Sequence, residues 1–226
     1  MANYKDIKGF HVQSLSTDPA ASQVAGGSWS SGTAMNTARL SGVGAGVSKT
    51  SAIMASGYTG TGPGATANTE TYNGSAWTEV NDLNAAKKQL AGNGTQTSAL
   101  AYGGEKSPSV ADITETELWN GSNWTEVNDM NTSRHYPQGA GADNTSAIVF
   151  GGIDPPTHWA RTELWNGSNW TEVGDMVTAV GIGHGNGSKT AAMQTGGYNG
   201  TDYGNSTQEW DGTGFIIRTA TTTSDN

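Results

Sequence analysis

Apolar residues in this chain fall in short runs that end on glycine. Four of them read SAIMASG (51–57), SALAYGG (98–104), SAIVFGG (146–152) and AAMQTGG (191–197). Runs this short, bounded by turn residues, predict strands. A Gly-rich segment precedes each run, as in Gly139, Ala140, Gly141 and Ala142, and predicts a strand that lets backbones approach closely. Downstream stand Thr-Glu-Thr-Tyr (69–72), Thr-Glu-Leu-Trp (116–119 and 162–165) and Thr-Gln-Glu-Trp (207–210). Each is followed by Asn73-Gly74, Asn120-Gly121, Asn166-Gly167 or Asp211-Gly212, and then by a strand opening on Trp77, Trp124, Trp170 or Phe215. Asn-Gly is the preferred pair for a two-residue type I′ hairpin turn. Each unit therefore predicts four short antiparallel strands, the first small and Gly-rich, the second apolar, the last two a hairpin.

With Trp29 added, the corner aromatic recurs at intervals of 48, 47, 46 and 45 residues. That period is in the range of four-stranded propeller blades. Complete units run over 36–80, 84–127, 131–173 and 177–218. Trp29 marks a further one, and residues 10–16 and 22–25 supply candidate strands for it. The expected fold is an all-β propeller of five blades, closed by the N-terminal segment with help from residues 219–224. Four blades with residues 1–28 as a docking arm is the alternative. Closure matters because an open sheet edge would invite pairing with other chains. The domains expected are thus 1–28, a docking arm, part of the closing blade or both, and 29–226, the propeller.

Only 34% of residues are hydrophobic and 33 are glycine, which alone would suggest disorder. Eight Trp and seven Tyr at repeating positions argue the opposite. The net charge of −9, without a Lys/Arg run, makes nucleic acid a poor partner. No apolar stretch of about 18 residues predicts membrane insertion. The absence of cysteine excludes disulfides, thiolate metal sites and cysteine nucleophiles.

Candidate chemistry sits in the loops between second and third strands, TGTGPGATAN, EKSPSVADIT, IDPPTHWA and YNGTDYGNS, which differ while the hairpins barely change. Variable loops on a repeated scaffold suit binding. His135, Tyr136, His158, Trp159, Asp202 and Tyr203 are the candidate ligand contacts, because aromatic planes with short polar groups suit a sugar ring. Arg39, Lys87 and Arg134 occupy equivalent positions and form either an anion-binding ring or repeated salt bridges. Glu70, Glu117 and Glu163 recur with them, and where Val180 replaces the cation, Gln208 replaces the acid, which favours the salt bridges. The four His, at 11, 135, 158 and 184, lack metal-ligand spacing. No nucleophile elbow or catalytic set emerges. The expectation is neither an enzyme nor a cofactor protein.

The order of a strand ending in Gly-Gly, an aromatic strand and a Trp strand over residues 29–218 resembles the kelch repeat, although kelch propellers usually have six or seven units. Galactose oxidase is a kelch-type enzyme, but its cysteine-linked tyrosine has no counterpart here. The opening MANYKDIKGFHVQSLSTDPAASQVAGGSWSSG, followed by NTAR and by SALAYGG…TELWNGSNWTEVNDMNTSR, is similar to kelch-like structural proteins of tailed phages that infect marine bacteria. That resemblance implies a virion component made in the host cytoplasm without a signal peptide. It would be a tail fibre, an appendage tip or a capsid decoration, attached to other virion proteins through residues 1–28. The module would adsorb to host surface glycans or proteins. A purely structural cement or adaptor is the alternative, and association with further copies of the chain stays open.

Overall fold

The computed structural model describes residues 31–60, 64–109, 111–205 and 207–218. The expectations placed on Trp29, on residues 1–28 and on residues 219–224 lie outside these residues. No helix occurs among the described residues, and the expected all-β class holds.

The strands follow the repeat, within a unit spanning Thr33–Asn226. They are β1 (Val43–Ser48), β2 (Ser51–Tyr58), β3 (Ala65–Tyr72) and β4 (Trp77–Val80), then β5 (Lys87–Lys88), β6 (Ala91–Thr95), β7 (Ser98–Tyr102), β8 (Glu105–Lys106), β9 (Thr116–Trp119) and β10 (Trp124–Val127). There follow β11 (Gln138–Asp143), β12 (Ser146–Phe150), β13 (Ile153–Asp154), β14 (Thr157–His158), β15 (Thr162–Trp165) and β16 (Trp170–Val173), and finally β17 (His184–Ser188), β18 (Ala191–Thr195), β19 (Thr207–Trp210) and β20 (Phe215–Arg218). Among the described residues the four large sheets contain the orders β1-β2-β3-β4, β6-β7-β9-β10, β11-β12-β15-β16 and β17-β18-β19-β20. Every pairing is antiparallel. The two-residue strands elaborate the loops: β5 bridges β3 to β8, and β13 pairs with β14.

The hairpins differ from the predicted two-residue turn. Tyr72 pairs with Trp77, Trp119 with Trp124, Trp165 with Trp170 and Trp210 with Phe215, so the loops between strands hold four residues. Asn73 Oδ1 accepts the N–H groups of Ser75 and Ala76, each at 3.0 Å, and Asn120, Asn166 and Asp211 repeat the arrangement. Only the glycine has positive φ, between 93° and 98° across the four hairpins. Asn or Asp is therefore selected for its side-chain acceptor, as in an Asx turn, and not for left-handed backbone.

Packing explains the alternation within the second strands. Ile53 and Ala55 pack with Ala99, Ala101, Trp119 and Trp124 between the first and second sheets. Leu100 and Tyr102 face Ala147, Val149, Trp165 and Trp170 between the second and third. Ile148 and Phe150 meet Ala192, Trp210 and Phe215 between the third and fourth. Small residues on one sheet oppose large ones on the next, which fills each gap without strain. The corner Trp also ties sheets together: Trp124 Nε1–H donates to Thr69 Oγ1 of the preceding sheet at 3.0 Å, and Trp170 to Thr116 at 2.9 Å.

The two outer sheets keep one face without a neighbouring sheet among the described residues. Trp77 is only partly buried and borders a cleft with Ala52 and Met54, so it does not share the environment of Trp124 and Trp170 expected from the repeat. On the fourth sheet Met193 is exposed. The first strands touch in succession, β1 with β6, β6 with β11 and β11 with β17, with no comparable contact between β17 and β1 among the described residues.

Replacing Trp124 with Ala is expected to lower unfolding stability by about 3–5 kcal/mol, the range for a buried aromatic. Chemical denaturation checks this, and a loss below about 1 kcal/mol would contradict the packing described here.

Candidate functional site

A short segment leads into each first strand: Asn36-Thr37-Ala38-Arg39, Asn84-Ala85-Ala86-Lys87, Asn131-Thr132-Ser133-Arg134 and Val177-Thr178-Ala179-Val180. In the first three sheets this segment is bound by a glutamate of the third strand, and Glu70, Glu117 and Glu163 are fully buried. Glu163 accepts from Asn131 N at 2.7 Å, Asn131 Nδ2 at 2.9 Å, Thr132 N at 3.2 Å and Arg134 Nη2 at 2.6 Å. Glu117 accepts from Asn84 N, Asn84 Nδ2 and Lys87 Nζ at 2.7–2.9 Å. Glu70 takes Asn36, Thr37 and Arg39 in the same way.

Arg39, Lys87 and Arg134 are thus engaged in buried salt bridges, with side-chain exposures of 0, 2 and 0%. Arg134 also donates to the carbonyls of Gly151 and Arg161. Buried and paired, these cations do not form an open ring for an anion. The fourth sheet reaches the same geometry without charge: Gln208 Oε1 accepts Thr178 N at 2.9 Å, and its Nε2 donates to Thr178 O at 3.1 Å.

Two residues beyond each cation position the backbone turns left-handed. Ser41, Gln89, Tyr136 and Ile182 have φ of 55°, 58°, 49° and 58°. Positive φ is uncommon for any residue but glycine, and for β-branched Ile it is a marked outlier. All four line one cavity of about 460 Å³, together with Gly42, Gly92, Gly139 and Gly183. The rim is stitched by Gln89 N donating to Ser41 O and Tyr136 N to Gln89 O, each at 2.8 Å. The first strands also border a second space of about 180 Å³. Their glycines are sterically required: a Cβ on Gly92 would strike Leu100 O and Val43, and one on Gly185 would lie 2.6 Å from Gly139 O. Gln89 Oε1 and Gln138 Oε1, on two cavity-lining residues, are buried without a hydrogen-bond partner.

The residues singled out as ligand contacts do not converge. Tyr136 is on the rim. His135 is buried in a separate cleft, with Nδ1 2.6 Å from Asp112 Oδ1. Burial pushes the Asp112 carboxyl above the usual range, and the hydrogen bond to His135 opposes that shift. His158, Tyr198 and Tyr203 form an aromatic row with ring centroids 5.4 and 5.0 Å apart, ending on Tyr203, which is 81% exposed. Asp202 is exposed nearby, its N–H held by Asn199 Oδ1. Trp159 lies under the Arg161 guanidinium, 4.6 Å away. Sequence reasoning overlooked Ser41, Gln89, Gln138 and Ile182. The signal available was register, a fixed offset of two residues past Arg39, Lys87, Arg134 and Val180 for three of them.

No protein-family model matches the chain, and a search of curated proteins finds no match.

Changing Glu163 to Gln leaves Arg134 buried without its counter-charge and is expected to cost about 3–5 kcal/mol. Adding Arg134→Val copies the Val180–Gln208 solution and is expected to recover most of that loss. Denaturation of the single and double variants measures the coupling. Ile182→Gly is expected to raise stability by up to about 1 kcal/mol, because released left-handed strain outweighs the added freedom of the unfolded chain. A lowered melting temperature would show that Ile182 is unstrained.

Proposed function

We propose that this chain is a kelch-like β-propeller acting as an adhesion module of a tailed phage particle, binding a polar ligand of the glycan class at the cavity mouth, without catalysis. The observation that carries the reading is the rim. Ser41, Gln89, Tyr136 and Ile182 hold equivalent positions and the same strained backbone, yet differ wholly in side-chain chemistry. Backbone strain persists where the surroundings over-determine it and gathers at ligand sites. Here the scaffold beneath is repeated and only the presented groups change, as a selective surface requires. Gln89 offers an amide at the cavity wall for hydroxyl groups, and the partly exposed Tyr136 ring suits the apolar face of a sugar.

Five blades fit this picture best. Among the described residues, partly buried Met54 and exposed Met193 have no neighbouring sheet over them, and β17 and β1 lack the close contact that joins the other first strands. Trp29 continues the aromatic series, so residues 1–28 are the proposed source of the fifth blade, and they also attach the module to the virion. The phage assignment is supported by the resemblance of the N-terminal segment and repeats.

Single-site affinity is expected to be roughly millimolar to micromolar, with adhesion arising from many copies. Glycan arrays and cell-adsorption assays on Gln89→Ala and Tyr136→Ala check the reading, with at least a tenfold weakening expected, or about 1.4 kcal/mol. Parent-like adsorption by both, with losses from changes in the Asn-Gly hairpins, would move the site to the opposite face. A parent that enters particles but adsorbs to nothing would favour the cement role.

A further inference from the structure

The cleft that holds His135 contains more acidic groups than a hydrogen-bonded pair needs. Glu105, at the start of β8, and Asp112 are backbone neighbours across a bridge. His135 is held opposite by reciprocal backbone hydrogen bonds with Ile153, at 2.9 and 2.8 Å, which places Asp154 of β13 at the same cleft. Ligand atoms from Glu105, Asp112 and His135 all lie within 4.8 Å of one another. Glu105 Oε1 is 3.9 Å from His135 Nδ1, too far for a hydrogen bond, while Oε2 pairs with Lys88 Nζ at 2.9 Å. Asp154 is contacted by Ser133 Oγ at 3.3 Å.

The decisive atom is Asp112 Oδ2. The Asp112 side chain is only 6% exposed, and Oδ2 is buried with no hydrogen-bond partner, on a residue that lines the cleft. Such an oxygen keeps its full desolvation penalty unless something positive meets it. The His135 ring serves Oδ1 and cannot serve both oxygens from one nitrogen. Glu105, Asp112 and Asp154 line the cleft with one imidazole, that of His135, and Lys88 pairs with Glu105 from its edge.

We propose that Glu105, Asp112 and His135, with Asp154 at the margin, bind a divalent transition-metal ion of the Zn²⁺ or Mn²⁺ type. An ion bonded at about 2.0–2.2 Å separates neighbouring ligand atoms by roughly 3–3.6 Å, and the observed 2.6 and 3.9 Å lie on either side of that spacing. The donor set of one imidazole and carboxylates without sulfur suits these ions, whereas Ca²⁺ and Mg²⁺ take oxygen ligands alone. The ion takes the place of any proton shared between His135 Nδ1 and Asp112 Oδ1, and that proton leaves to solvent. The consequence reaches the rim: the His135 ring contacts that of Tyr136 at 5.3 Å, so the ion fixes the loop around residue 112 against the segment that presents Tyr136.

The test uses the full chain stripped with a chelator and titrated with ZnCl₂ or MnCl₂. Binding is expected to raise the melting temperature by several degrees and to quench the electron-paramagnetic signal of free Mn²⁺ at one ion per chain. Asp112→Asn and His135→Gln are expected to weaken binding at least tenfold, while His158→Gln and His184→Gln retain it. Circular dichroism establishes that the variants fold, and the titration of the unaltered chain stands regardless. An unaltered chain that leaves the Mn²⁺ signal unchanged and its melting temperature unmoved at millimolar metal overturns the proposal. So does binding that survives in folded Asp112→Asn and His135→Gln, or a response to Mg²⁺ and Ca²⁺ equal to that with Zn²⁺.

Discussion

The buried carboxylate of the third strand holds the rest of this structure in register. Glu163 collects two backbone N–H groups, one side-chain amide and one guanidinium from a single four-residue segment. A segment bound at four points cannot slide, so the strand that follows begins at a defined place and the residue two positions past the cation is forced into left-handed backbone. Buried ion pairs are seldom a large net source of stability, because desolvation offsets attraction, and their surest role is to specify one arrangement. The fourth sheet supports that view. Gln208 and the apolar Val180 position the Thr178 segment by neutral hydrogen bonds, and Ile182 still adopts φ of 58°.

Between sheets the governing constraint is volume. Ala99 and Ala101 on one face of β7, with Leu100 and Tyr102 on the other, mean that each neighbouring sheet meets a complementary surface. Trp124 and Trp170 act as both wedge and tether, since each indole N–H reaches a buried threonine of the preceding sheet. Phe215 keeps the wedge and loses the tether, and Thr162 Oγ1 donates to Ala160 O instead, at 3.4 Å.

This division of labour leaves the rim and the loops free to vary. Strands, hairpins and carboxylate anchors repeat, whereas Ser41, Gln89, Tyr136 and Ile182 repeat only in backbone conformation. The acidic cleft around His135 arises in the same manner, where the loop between β8 and β9 meets Ser133, His135 and Asp154 from the segments that follow.

Much of the fold was legible in the residues themselves. Short apolar runs closed by glycine, Asn-Gly pairs and a regularly spaced aromatic dictate short antiparallel strands, because those signals act over a few residues. The pairing of Arg39, Lys87 and Arg134 with glutamates was also legible, since cation and acid vanish together at Val180 and Gln208. The four-residue hairpin was not, because Asn serves an Asx turn as readily as a type I′ turn and only strand register distinguishes them. Nor was the grouping of the functional side chains. His135 and Tyr136 adjoin in sequence, yet left-handed backbone at Tyr136 sets one on the cavity rim and leaves the other against Asp112. Local patterns determine which strands form; which side chains then meet depends on how sheets far apart in sequence pack, and only the tertiary structure decides that.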